Sequence, residues 1–124
     1  MPRFIAGLLL VLLITACYYD SEEYLFPEVN SECITDSVAY STAIQPVLEQ
    51  YCYRCHNNAN APLAGNNIKL EDYSDVILRV NDESLIGSVA HQSGYSPMPK
   101  GGGKLDDCFI NQLSAWIDQG APEN

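Results

Sequence analysis

Five consecutive residues constrain this chain more than any other stretch: Cys52-Tyr53-Arg54-Cys55-His56. Two thiols stand two residues apart and an imidazole follows at once. This C-x-x-C-H order is the attachment signature of a c-type haem. Each cysteine sulfur can add to one vinyl group of the porphyrin as a thioether, and the two-residue spacer sets the sulfurs about a vinyl-to-vinyl distance apart. His56 is then held under the iron as the proximal axial ligand. A fold built on this motif has to wrap one covalently held haem, and every other segment can be asked what it supplies to such a centre.

The length of 124 residues allows one domain. A domain this small buries limited apolar area, so a covalent haem would add an apolar body to the core and a disulfide would add a staple. Six basic residues face 16 acidic ones, for a formal net charge of −10. No basic stripe is available to neutralise phosphates, which argues against a nucleic-acid partner. An acidic surface suits basic partner patches or simple solubility.

Residues Met1 to Ala16 read as a targeting signal. Arg3 gives a short positive region, and Phe4 to Ile14 is nearly continuous apolar sequence. An apolar stretch of this length is too short to span a bilayer and fits a secretory signal. Ile14-Thr15-Ala16-Cys17 resembles the lipobox of bacterial lipoproteins, in which the cysteine is lipidated and becomes the mature N-terminus. The expectation is an exported, membrane-anchored lipoprotein, on the periplasmic side or the outer membrane, tethered through Cys17 without a spanning helix. Loss of Arg3 with the leader would take the formal charge from −10 to −11. Residues 17–32 read as a solvated acidic tether. Its Asp20-Ser21-Glu22-Glu23 cluster resembles the surface-export signals of Bacteroidetes lipoproteins. The domain proper is expected over residues 33–124.

The five cysteines can then be apportioned. Cys17 goes to lipid, Cys52 and Cys55 to haem, and Cys33 and Cys108 remain. An exported compartment is oxidising, so the leftover pair suggests a disulfide pinning the two ends of the domain. It would close a loop of roughly 75 residues, worth on the order of 4 kcal/mol in the chain-entropy model. The alternatives are two free buried thiols or a four-cysteine zinc site, and the latter lacks a second close C-x-x-C pair.

Helical periodicity recurs through the domain. Ser41 to Gln50 reads as a helix with Ile44, Val47, Leu48 and Tyr51 on one face, capped by Ser41 or Thr42. Pro46 must fall in its first turn or kink it. Asn57 to Asn67 is turn and loop chemistry that would wrap the proximal side of a haem. Tyr73 to Val80 places Tyr73, Val76, Ile77 and Val80 at i, i+3, i+4 and i+7. Asp82 is a plausible cap for Glu83 to Ala90, with Leu85, Ile86 and Val89 inward. A last helix over about Asp106 to Gln119, ended by Gly120 and Pro122, carries Phe109, Leu113, Trp116 and Ile117. That stripe suits packing against the first helix and a haem edge. Convincing alternating strands are lacking, so the fold class is all-α with about four helices.

An iron that shuttles electrons without rearranging needs a second strong ligand. Met1 leaves with the signal, so Met98 is the methionine available. It lies in Ser93 to Gly103, where two prolines stiffen the backbone and the three glycines after them, Gly101 to Gly103, let it approach something closely. Thioether ligation raises the reduction potential. The rival is His91, the one other histidine, whose ligation would lower it. Arg54, Lys69, Tyr73 and Trp116 could pair with haem propionates, but each suits packing or solvent better and stays outside the ligand set.

Taken together, these landmarks resemble class I c-type cytochromes, and more narrowly the small haem-binding lipoproteins and domains of Bacteroidetes and related bacteria. The residues that carry the resemblance are Cys33, Ile44-Gln45-Pro46-Val47-Leu48, the C-x-x-C-H motif, Met98-Pro99-Lys100-Gly101-Gly102 and Trp116-Ile117-Asp118-Gln119-Gly120-Ala121-Pro122. The resemblance implies the cytochrome c fold, with N- and C-terminal helices packed around one covalent haem c. It implies electron transfer between redox partner proteins and no enzymatic activity. The departures are a short His56-to-Met98 segment and the extra Cys33/Cys108 pair. Two other classes compete: a haem-based peroxidase or oxidoreductase subunit, which wants an open distal site with acid–base groups, and a redox or gas sensor with a displaceable Met98. A thioredoxin-like use of Cys52 and Cys55 needs a βαβ context that the chain lacks.

Overall fold

A computed structural model describes residues 33–124; the expected signal peptide, the tether and Cys17 lie outside the described residues. The described residues form helices and no strands, so the domain is all-α. A π-helical turn, Tyr40–Ile44, opens it and runs into α1 (Gln45–Tyr51). Two short helices follow, α2 (Tyr53–His56) and α3 (Ala61–Ala64). Next come α4 (Tyr73–Asn81), α5 (Ser84–Val89) and α6 (Asp107–Asp118). None of these helices is long and apolar enough to cross a membrane.

The first helix departs from expectation at its opening and at its end. Its opening is π-helical rather than α-helical, and no Ser41 or Thr42 side chain caps it. Pro46 falls in the first turn of α1, where its missing N–H removes a bond that the helix would not have made. Ile44 and Leu48 are fully buried as the apolar stripe requires, but Tyr51 is 46% exposed because the stripe runs out at the helix end. In its place the core takes Val38 and Tyr40, upstream of the expected start.

Trp116 is 0% exposed and forms the centre of the core with Ile44, Leu48, Leu113 and Val76. Burying each such side chain contributes roughly 1.5–3 kcal/mol. The Tyr40 ring lies 5.4 Å from the Trp116 ring and meets Tyr73 edge-on at 5.1 Å. The sequence pairs the last helix with the first, and α6 does pack on the π-helical turn that opens the first helix, as well as on α5. Asp106 caps α6, its carboxylate accepting the Phe109 N–H at 2.9 Å.

The far end of α6 closes in a Schellman motif. Gly120 sits at φ +89 with its N–H on the Ile117 carbonyl, and the Ala121 N–H returns to Trp116 O. The tail then folds back over the aromatic core. Trp116 Nε1 donates to Pro122 O at 2.9 Å and the Tyr73 hydroxyl to Ala121 O at 2.5 Å. The N–H groups of Tyr40 and Ser41 both donate to Asn124, at 2.8 Å each. In the first turn of α6, Cys108 lies at disulfide distance from Cys33, with Sγ atoms 2.12 Å and Cα atoms 5.5 Å apart. Cys52 and Cys55 stand apart from that pair as free thiols.

Candidate functional site

Cys52, Cys55 and His56 sit on one turn of chain. The Cys52 N–H continues α1 by donating to Leu48 O at 2.8 Å, and the Cys55 and His56 N–H groups return to Cys52 O at 3.1 and 2.9 Å. Both thiols and the imidazole are half-buried. Burial pushes the Cys52 thiol up to about 11, so it is protonated at neutral pH. A protonated thiol is a poor nucleophile toward disulfides.

The His56 ring is oriented by the loop that follows it. Its Nδ1–H donates to the Ile68 carbonyl at 2.9 Å. A carbonyl can only accept, so the proton is on Nδ1 and the Nε2 lone pair is left for a metal. This is the arrangement by which a ligating histidine is fixed in tautomer and direction. The neighbouring Leu70 N–H donates to His56 O at 2.8 Å, so ring and backbone are held by the same segment.

That segment reaches His56 through a tight reversal. Asn57 Oδ1 accepts the Asn60 N–H at 2.6 Å, α3 follows, and Ala61 O receives the N–H groups of both Gly65 and Asn67. Asn66 and Asn67 adopt left-handed φ of +54 and +59, which asparagine tolerates better than most residues. Gly65 is needed for space. A Cβ there would lie 2.5 Å from Cys55 O and 3.0 Å from His56 Nδ1. The stretch Asn57 to Asn67, expected as turn and loop, contains the α3 turn, and Gly65 and the Ile68 carbonyl join the site without being expected from the sequence. The Gly65-Asn66-Asn67 run was the available signal.

Met98 comes from a separate segment. It is half-buried in the irregular stretch between α5 and α6, with its N–H on Ser88 O at 3.0 Å. The rival ligand, His91, uses its Nε2–H to bond Met98 O at 2.9 Å. Two candidate propionate partners have their donors engaged inside the fold: the Tyr73 hydroxyl on Ala121 O and Trp116 Nε1 on Pro122 O. The third aromatic of the region, Tyr53, donates to Glu71 O at 3.3 Å, which ties the motif's spacer to the end of the proximal loop.

Among the described residues, no group of three or more His, Cys, Asp or Glu side chains gathers as a metal cage. A porphyrin iron asks the protein for two axial groups, and the His56 geometry fits one of them. Comparisons of the chain with protein-family models, with curated proteins and with solved structures find no match.

Proposed function

We propose that the chain is a monohaem c-type cytochrome, a lipid-anchored electron carrier of the exported compartment. In this reading the domain takes the class I cytochrome c fold, haem c is joined to Cys52 and Cys55, and His56 and Met98 are the axial ligands. Cys17 carries the lipid, redox proteins are the partners, and no residue acts on a substrate. When bound, the haem supplies one-electron Fe(III)/Fe(II) chemistry at a potential that a thioether ligand raises.

The observation that carries the reading is the His56 ring. It directly follows a C-x-x-C pair, and a backbone carbonyl 2.9 Å from Nδ1 leaves Nε2 of the neutral ring as the lone-pair donor. Cys52 and Cys55 would hold the haem, each adding its S–H across a vinyl double bond, sulfur to one carbon and hydrogen to its neighbour, so that nothing leaves and no oxidant is consumed. The raised pKa of Cys52 suits such a holding role better than thiol–disulfide exchange. The Ile68 carbonyl and the close-packed Gly65 keep His56 from turning away.

The test uses the full chain produced with haem-attachment machinery. A denaturing gel stained for haem is expected to show a covalent band that weakens or vanishes in Cys52→Ser or Cys55→Ser. The oxidised protein is expected to show the weak far-red band of an iron–methionine bond, lost in Met98→Ala. Ready CO binding by the reduced wild-type protein would sink the electron-carrier reading and favour an open-site enzyme or sensor.

A further inference from the structure

The peptide around Met98 is gripped at both of its polar ends by the C-terminal end of α5. The Met98 N–H donates to Ser88 O at 3.0 Å, and the Met98 carbonyl accepts from His91 Nε2 at 2.9 Å. Pro97 and Pro99 flank it and have no N–H, so Met98 is the one backbone donor across those three residues. His91 stands just past the helix at φ +55, its own N–H on Ser88 O at 3.3 Å and the Gln92 N–H on Gly87 O at 2.8 Å. Midway through the excursion, the Tyr95 ring lies across Gly87 so closely that a Cβ at Gly87 would overlap it. Gly87 itself is buried. The loop from Gln92 to Met98 is thus fastened to one helix end at three separated points.

We infer that His91 is a positioning residue for Met98. Its Nε2–H closes the loop on the Met98 carbonyl and sets how firmly the thioether stays on the iron. The inference rests on the proposed His56/Met98 ligation. Without the clasp, Met98 keeps the Ser88 attachment at its N–H but its carbonyl end is released next to Pro99. One net hydrogen bond corresponds to roughly three- to tenfold in the balance between held and released states. His91 occupies the left-handed region, which costs a residue with a Cβ, and its backbone is kept there by the Ser88 and Gly87 carbonyls.

The experiment separates the clasp from the backbone strain. Asparagine tolerates the left-handed conformation but its amide is too short to reach Met98 O, so His91→Asn removes the clasp and keeps the turn. His91→Gln restores the reach with an amide donor. The readouts, on the haem-loaded full chain, are the far-red iron–sulfur band when oxidised and the apparent CO affinity when reduced. His91→Asn is expected to weaken the band and raise CO affinity roughly three- to tenfold, the factor one net hydrogen bond is worth. His91→Gln is expected to return most of the way to wild type. In a Met98→Ala background, His91→Asn should change CO affinity by less than about twofold, because no sulfur is left to position.

An unchanged band and CO affinity in His91→Asn, with the wild-type band present, overturns the clasp alone. So does an equal CO effect with and without Met98, which would mark His91 as merely structural. A wild-type protein that lacks the band overturns Met98 ligation and the clasp with it. His91→Gly, equally at ease in the left-handed region, is the second clasp-free variant. Failure of both to load haem would also overturn the proposal, since a distal clasp has no part in thioether attachment.

Discussion

His56 sits on a helical turn and Met98 in a loop between two prolines, and the two are held by different means. The His56 side chain itself is bonded, at Nδ1, by a carbonyl only 12 residues further along the chain. Gly65 packs against the ring and against the Cys55 carbonyl. Met98 is held by its main chain, through Ser88 and His91. The His56 ring is therefore oriented through its own side chain, while Met98 is fixed through its backbone. Under the proposed ligation, one axial ligand would be fixed through its ring and the other would depend on a few loop contacts.

The sharpest way to break that comparison is at Gly65. A Cβ 2.5 Å from Cys55 O meets backbone, which cannot swing aside as a flexible side chain could. Gly65→Ala is expected to lower stability by about 1–3 kcal/mol, the usual range for overpacking. It is also expected to reduce covalent haem yield, since the same methyl group crowds His56 Nδ1. Chemical denaturation and haem staining check the two effects. A well-folded Gly65→Ala protein with full haem loading would show that the proximal side is as yielding as the distal one.

The contrast also explains what could be read from the residues alone. Helices whose apolar positions recur at helical spacing were legible: Val76 in α4, Leu85 and Val89 in α5, and Phe109, Leu113 and Trp116 in α6 are all buried. Local periodicity sets those faces, and local caps such as Asp106 set their starts. Less legible was whatever depends on distant parts of the chain. The π-helical turn at Tyr40 is stabilised by the tail, whose Asn124 takes the Tyr40 and Ser41 N–H groups 84 and 83 residues away. Nothing near Tyr40 in the sequence encodes that. Within the candidate site, the motif announced Cys52, Cys55 and His56. The His91–Met98 hydrogen bond did not announce itself, because it joins two irregular backbone positions seven residues apart. Asp82 was half legible: its carboxylate does serve the start of α5, but through Ser84 N–H and hydroxyl at 3.0 and 2.5 Å. Glu83 takes the entry position at φ +60.

A smaller effect should fall on both sides at once, because one core underlies them. Leu70 at the end of the proximal loop and Val89 of α5 belong to the same buried cluster as Tyr40. Burial, reinforced by Tyr53 and Glu123 nearby, raises the Tyr40 phenol to about 12 from an ordinary value of 10.0. A raised folded-state pKa means that stability is full below pH 10 and is lost as pH rises through 12, because the unfolded chain ionises first. The loss is on the order of 2 kcal/mol. Tyr40→Phe should remove that part of the alkaline decline, read from denaturation midpoints across the interval. An equally steep decline in Tyr40→Phe would place its cause elsewhere.

The smallest expected effect tests the distal loop by the same substitution that strains the proximal one. The sequence reading gave the glycines after Met98 the task of letting backbone approach something closely. Gly101 has φ +76 and is needed for its turn, whereas a Cβ at Gly103 meets nothing within 4 Å. Alanine at position 103 fills open space, and fewer backbone conformations remain to the unfolded chain, an effect worth about 0.4–1 kcal/mol in favour of the folded state. Gly103→Ala is therefore expected to be neutral to slightly stabilising, with haem loading and the far-red band unchanged. A loss above about 1 kcal/mol would exceed what an open surface position ordinarily shows. It would support the close-approach reading and mean that the loop after Met98 is packed as tightly as the one after His56.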